Sequence, residues 1–299
     1  MSNVINPLVS QLFLDNHVIE ETSRVKKIIH SPHKYYNNPL YKAGASWEGT
    51  SIHYLGGVHF DKKEGILKAW YAVLSPSKHP EIKHAVCMIT STDGIHWERP
   101  ELDVYKTSDG QWTNIVLLIT HGGGTGAPTI IYEPENTEEP WTMVLSTTDG
   151  EGNWDYKGYI LRSPDGIHWD QFDNNPVLTG TGDTHSLLGW DENYQKYVAF
   201  IRPGRQHVKG PYRRFIGRSI SDDFVTWTDP AVVLVPEEDE PNLEFYNMPV
   251  FKYEGLYLGL PWAYKTFPEE PYPRMNGTMD VQLAVSHDGI EWDRAMDRE

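Results

Sequence analysis

A seven-residue motif recurs four times along the chain and limits the folds open to it. Ser91-Thr-Asp-Gly-Ile-His-Trp97 is followed by Ser163-Pro-Asp-Gly-Ile-His-Trp169, Ser221-Asp-Asp-Phe-Val-Thr-Trp227 and Ser286-His-Asp-Gly-Ile-Glu-Trp292. The shared pattern, Ser-x-Asp-(Gly/Phe)-x-x-Trp, is that of a turn. Ser and Asp side chains bond nearby backbone amides, and Gly supplies a positive φ. The closing Trp carries enough apolar area to be packed between neighbouring sheets. A supersecondary unit repeated at this spacing points to a modular all-β architecture.

The segments between the turns read as short strands, rich in β-branched and aromatic residues and bounded by Gly, Pro, Asn and Asp. Pairs are expected at 66–74 with 84–90, 141–145 with 159–161, 197–201 with 214–218, and 256–260 with 280–285. No stretch sustains a period of 3.6 residues. Each unit then carries four strands, A to D, with A opening after Trp47, Gly124, Gly182 and Leu243. Polar A–B turns follow at 61–65, 133–139, 191–195 and 252–255. Four-stranded antiparallel sheets set radially as blades solve the edge-strand problem. The expected fold is an all-β, five-bladed β-propeller in one domain over residues 1–299. Its blades fall at about 46–105, 106–175, 176–232 and 233–299. Residues 1–45, with 11–15 and 25–30 as outer strands, close a fifth blade or leave it incomplete, or else complete a smaller ring.

Charge narrows the function. Lys plus Arg number 26 against 42 Asp plus Glu, a formal net charge of −16. That balance repels nucleic-acid backbones and anionic membrane surfaces, so neither is an expected partner. The single cysteine, Cys87, allows no internal disulfide. The N-terminus shows no basic segment followed by an apolar run, which sets the expectation of a cytoplasmic protein.

The Ser-x-Asp-x-x-x-Trp turn resembles the blade motif of the five-bladed propeller glycoside hydrolases, the furanosidase-like superfamily of families 32, 43 and 68. Leu12-Phe-Leu-Asp-Asn-His-Val-Ile19, Asn38-Pro-Leu40 and Trp47-Glu48 resemble bacterial proteins grouped with those families. The resemblance implies a glycosidase that cleaves a terminal sugar from an oligosaccharide or glycoside.

Antiparallel order puts the starts of the A strands, the B–C loops and the ends of the D strands on one face. The B–C loops are long and hold His79, Trp154, Arg205, His207, Tyr212, Trp262, Tyr264, Phe267, Tyr272 and Arg274. Long loops on a rigid scaffold tend to carry function. The A-strand starts supply Trp47, Glu48 and His53, then His121, then Asp183 and His185, then Glu244, Tyr246 and Asn247. Glycoside hydrolysis needs two carboxyl groups across the scissile bond, held in different environments. Glu48, Asp183 and Glu244 come from different blades and are the candidates. By position in the resembled families, Glu48 is cast as base, Asp183 as general acid and Glu244 as an orienting group. Trp47, His53, His121, His185, Arg202, Tyr246, Asn247, Trp262 and Asp280 are the candidate substrate-binding residues.

The second blade departs from the resembled pattern. It reads His121-Gly-Gly-Gly-Thr-Gly-Ala-Pro128, with no acid. His121 or His185 is therefore an alternative proton donor, since His serves that role near neutral pH. No close-spaced ligand pair supports a metal, and no cofactor is expected; the resemblance alone suggests an axial divalent ion. A non-catalytic sugar-binding propeller and a lyase acting through His are the competing readings. A phosphorylase would draw on Arg202, Arg205, Arg213 and Arg214, which lie in or beside one loop.

Overall fold

Every regular element of the described residues is a strand, in keeping with the lack of a sustained 3.6-residue period in the sequence. The computed structural model describes residues 10–28, 30–73, 78–119, 125–148, 156–204, 213–237, 240–267 and 276–295. The first blade contains β1 (His53–Asp61), β2 (Ile66–Val73) and β3 (Ala85–Ser91). A small hairpin, β4 (Leu102–Lys106) with β5 (Trp112–Thr113), stands apart, and β6 (Ile115–Leu118) supplies the outer strand. The second blade has β7 (Thr125–Tyr132), β8 (Trp141–Thr147), β9 (Tyr156–Ser163) and the short β10 (Asp170–Gln171). The third has β11 (Leu178–Asp191), β12 (Lys196–Pro203), β13 (Ile216–Ser221) and β14 (Ala231–Leu234).

Strand β11 joins these two blades. Its first residues pair with β9 (Leu178 opposite Gly158), and its later ones with β12 (His185 to Asp191 opposite Ile201 to Lys196). One continuous strand thus finishes one blade and opens the next. The fourth blade is split by proline, which has no N–H to give a ladder. Strands β15 (Leu243–Phe245), β18 (Trp262–Thr266) and β19 (Gly277–Val281) form one sheet. Strands β16 (Val250–Tyr253), β17 (Leu256–Gly259), β20 (Ala284–Ser286) and β21 (Asp293–Arg294) form the other. Pro249 and Pro261 stand at the break, and Trp262 N–H still donates to Asn247 O at 2.8 Å.

The repeated turn is built from its own side chains. Ser91 Oγ accepts the Asp93 and Gly94 amides, and Asp93 Oδ1 accepts those of Ile95 and His96. Asp165, Asp223 and Asp288 repeat the Asp contacts. Trp97, Trp169 and Trp227 each donate their indole N–H to the carbonyl three residues back. The position before the last three residues carries a positive φ in all four turns, at Gly94, Gly166, Phe224 and Gly289.

Blades meet through apolar faces. Trp70, Val86 and Met88 of the first pack on Ile130, Trp141 and Met143 of the second. Val198 and Phe200 of the third meet Leu243, Phe245 and Tyr257 of the fourth. The expected N-terminal strands at 11–15 and 25–30 do not form: the described residues from 10 to 52 hold no strand. Leu12 and Leu14 instead pack on Leu256, Leu258 and Val285, and Asp15 pairs with His287 at 2.7 Å. The segment binds the last blade through side chains, with its backbone amides outside any ladder.

Candidate active site

The inner strands are irregular where they begin. Register shifts interrupt β1 between His53 and Gly57, β7 between Thr125 and Pro128, and β11 between Thr181 and His185. Bulges re-aim side chains and recur beside active sites. On β11, Gly182, Asp183 and Thr184 stand opposite the single residue Arg202. The Asp183 carboxylate consequently meets the Arg202 guanidinium in an ion pair. Tyr246 Oη donates to the other Asp183 oxygen at 2.9 Å.

Tyr246 links this pair to a second one. The Arg202 guanidinium lies 4.7 Å from its ring centroid and that of Arg214 lies 5.3 Å away. Arg214 donates to Glu244 Oε2 at 2.5 Å, and lies 5.3 Å from the Tyr264 ring. Glu244 and Tyr264 are directly opposed across β15 and β18, so their side chains share a face. Two carboxylates, two guanidiniums and two phenols from the third and fourth blades therefore form one buried cluster. Asp183 is 9% exposed and Glu244 is 0% exposed, which leaves Asp183 as the carboxyl a ligand can reach.

Glu48 bonds to none of these residues and is fully engaged. Its Oε1 accepts from Tyr41 Oη (2.9 Å), Tyr71 Oη (2.5 Å) and Arg99 Nε (2.8 Å). Its Oε2 accepts from the Gly44 amide (2.6 Å), the Ala45 amide (2.8 Å) and Arg99 Nη2 (2.9 Å). Despite its burial, which works the other way, these donors, Arg99 foremost, bring its pKa down to about 2. Six donors fill the roughly four lone-pair directions of a carboxylate. No capacity is left for a water or a sugar hydroxyl, which argues against the base role expected for Glu48.

The other expected site residues divide in the same way. Trp47 is core, its indole N–H donating to Asn114 Oδ1 at 2.8 Å. His185 is buried, with Nε2 donating to Val144 O and Nδ1 accepting from Ser146 Oγ, both at 3.0 Å. Burial pushes its pKa down to about 4. A neutral ring with both nitrogens engaged inside the protein is a poor proton donor and a poor metal ligand. His53 is exposed and bonded to Ser51 at 2.8 Å. Asp280 is exposed opposite Ala263, on the face away from Tyr264 and Glu244. Trp262 is half-buried on the Tyr264 face, and its carbonyl accepts the Tyr246 amide at 2.9 Å. Asn247 is buried beside it, its carbonyl accepting the Trp262 amide. His121 lies outside the described residues, as do Trp154, Arg205, His207, Tyr212, Tyr272 and Arg274. Sequence reasoning placed Arg214 only in an anion-binding cluster and missed Tyr264 as its partner. Tyr264 fell in an expected loop, and only the strand Trp262–Thr266 sets it opposite Glu244. Among the described residues no group of three or more His, Cys, Asp and Glu is arranged to hold a metal.

The buried His185 sets a pH dependence. Its folded pKa lies below the unfolded value near 6.5, so the folded state resists protonation there. Stability is full above pH 6.5 and falls as pH drops toward 4, by on the order of 3 kcal/mol. Denaturant titrations at steps of pH should show this slope, and His185→Gln should flatten it.

No protein-family model matches the sequence, and no curated protein is similar to it in sequence. Solved structures do match. A β-1,2-mannobiose phosphorylase from Listeria innocua is 14% identical at a TM-score of 0.56, over 86% of this chain and 80% of that one. A thermostable family-43 glycoside hydrolase is 16% identical at 0.56, over 87% and 75%. A β-fructofuranosidase from Schwanniomyces occidentalis is 14% identical at 0.58, over 85% and 46%. The chain has the all-β blade architecture of the five-bladed propeller glycoside hydrolases and their phosphorylase neighbours. Likeness at this identity establishes the fold, and the site has to be argued on its own residues.

Proposed function

We propose that the protein, read as one propeller domain, is a glycosidase that removes a terminal sugar from an oligosaccharide or glycoside. Asp183 is the proton-transferring carboxyl of the two groups such hydrolysis needs, and its counterpart is neither Glu48 nor Glu244. The observation that carries this reading is the convergence of Asp183, Arg202, Tyr246, Arg214 and Glu244 at the bulged start of an inner strand. Arg202 and Tyr246 fix one hydrogen bond on each Asp183 oxygen and leave a lone pair on each, to accept from a water or to carry the proton that a glycosidic oxygen receives. Glu244 is too deeply buried to touch a sugar and acts by holding Arg214 against Tyr246. Trp262, half-buried on the same face, supplies an apolar surface on which a sugar ring can stack. Arg202 and Arg214 each already face a carboxylate, which favours a neutral substrate over a phosphate at this cluster.

The test is a panel of chromogenic aryl furanosides and pyranosides, run with the wild type and Asp183→Asn. Turnover of one member, reduced at least ~100-fold in the variant, is the expected result; loss of one general acid or base removes a factor of about 10²–10⁴. Turnover indifferent to the substitution overturns the assignment of Asp183. Binding of a sugar without turnover, equal in both proteins, would replace the enzyme with a binding propeller.

A further inference from the structure

We infer that Gly182 and Thr184 are positioning residues that set the two partners of Asp183 from either side of it; this rests on the glycosidase reading. Each flank makes a different contact. A Cβ at Gly182 would lie 2.7 Å from Arg202 Nη2 and 2.9 Å from its Cζ, and closer still to Nε. All three nearest atoms belong to Arg202, so the missing side chain is the space the guanidinium occupies. Arg202 cannot simply step aside, because it is 8% exposed and lies against the Tyr246 ring. The φ of Gly182 is not in the left-handed region, so backbone conformation does not demand glycine there.

Thr184 works on the other partner. Its hydroxyl donates to the Tyr246 carbonyl at 2.9 Å, and the residue is 0% exposed. That bond ties β11 of the third blade to the chain just after β15 of the fourth, at the residue whose phenol reaches back to Asp183. The bulge that sets three residues against Arg202 therefore carries one reacting group and two spacers. Gly182 admits the guanidinium, Asp183 receives it, and Thr184 brings in the phenol.

The experiment uses the full chain and the aryl glycoside found by the panel. In Gly182→Ala, kcat per folded molecule should fall ~10-fold or more while KM changes less than ~3-fold, alongside the lower Tm that overpacking brings. The Arg202 Nε–H resonance, identified by its loss in Arg202→Lys, should move in a ¹H–¹⁵N spectrum. Adding Gly182→Ala to Arg202→Ala should bring no further loss, because coupled residues are non-additive. Thr184→Val should lower kcat and Thr184→Ser should restore it, since Ser keeps the hydroxyl. An unmoved Arg202 resonance, additive losses, or failure of Thr184→Ser to rescue would overturn the positioning role. A resonance that moves while turnover does not would leave the positioning intact and overturn the glycosidase reading of Asp183.

Discussion

Glu48→Ala is expected to destabilise the fold by about 3–5 kcal/mol, the range for breaking a buried ion pair by removing one partner. The carboxylate is 0% exposed and holds Arg99, Tyr41, Tyr71 and two backbone amides at once. Removing it leaves the guanidinium facing buried phenols and orphans the Gly44 and Ala45 amides. It also frees the segment that leads into β1 from the sheet behind it. Linkage adds a second signature. The folded pKa of Glu48, about 2, lies below its ordinary 4.5, so its contribution is present above pH 4.5 and lost as pH falls toward 2. Denaturant unfolding of the wild type between pH 5 and 2 should show that loss, and Glu48→Gln should reduce it. An unfolding midpoint within ~0.5 kcal/mol of wild type in Glu48→Ala would contradict the anchoring role.

Gly166→Ala is expected to cost about 2–5 kcal/mol, more than the same change at the matching turn glycines. The φ at Gly166 is +79°, a region where a Cβ costs about 1–2 kcal/mol. The added methyl would also sit 2.7 Å from Trp70 Cζ2, with Trp141 at 3.5 Å behind it. Trp70 cannot retreat, since its indole N–H donates to Gly166 O at 2.9 Å and its ring packs 5.0 Å from that of Trp141. Overpacking of this kind costs about 1–3 kcal/mol. Gly94 serves as the control. Its φ is +75°, but its Cβ would meet only Leu67 at 3.4 Å, so Gly94→Ala should show the backbone cost alone. Equal losses at the two positions would remove the inter-blade contact from the explanation.

The blades were legible because their signals are local. Ser-x-Asp-Gly specifies its own turn through bonds within three residues, and the A–B turns fall where polar residues interrupt apolar runs. The turn position held by Phe224 shows the limit of that code. It keeps φ +63° without glycine because its ring is buried against Tyr197 and Trp227. The N-terminal segment was misread for the same reason in reverse. Its apolar residues look like strand patterning, yet Leu12 and Leu14 satisfy themselves on the fourth blade.

The site was legible in part. Asp183, Arg202, Tyr246 and Glu244 were all named from their places at strand starts and loop edges. Glu48 could not be sorted from them, because what distinguishes it is occupancy by Tyr71 and Arg99, 23 and 51 residues away. His185 was beyond reach in the same way, because its two partners lie 39 and 41 residues back along the chain. The ring turns to Ser146 and Val144 of the second blade.

On the proposed reading, Asp183 carries chemistry while Glu48 carries the fold. Turnover per folded molecule for Asp183→Asn and Glu48→Gln, side by side on one hydrolysed aryl glycoside, separates the two roles. Asp183→Asn should lose turnover even in its folded fraction, whereas Glu48→Gln should unfold more readily and retain turnover in its folded fraction. Full turnover in Asp183→Asn, or abolished turnover in a stably folded Glu48→Gln, would contradict that reading.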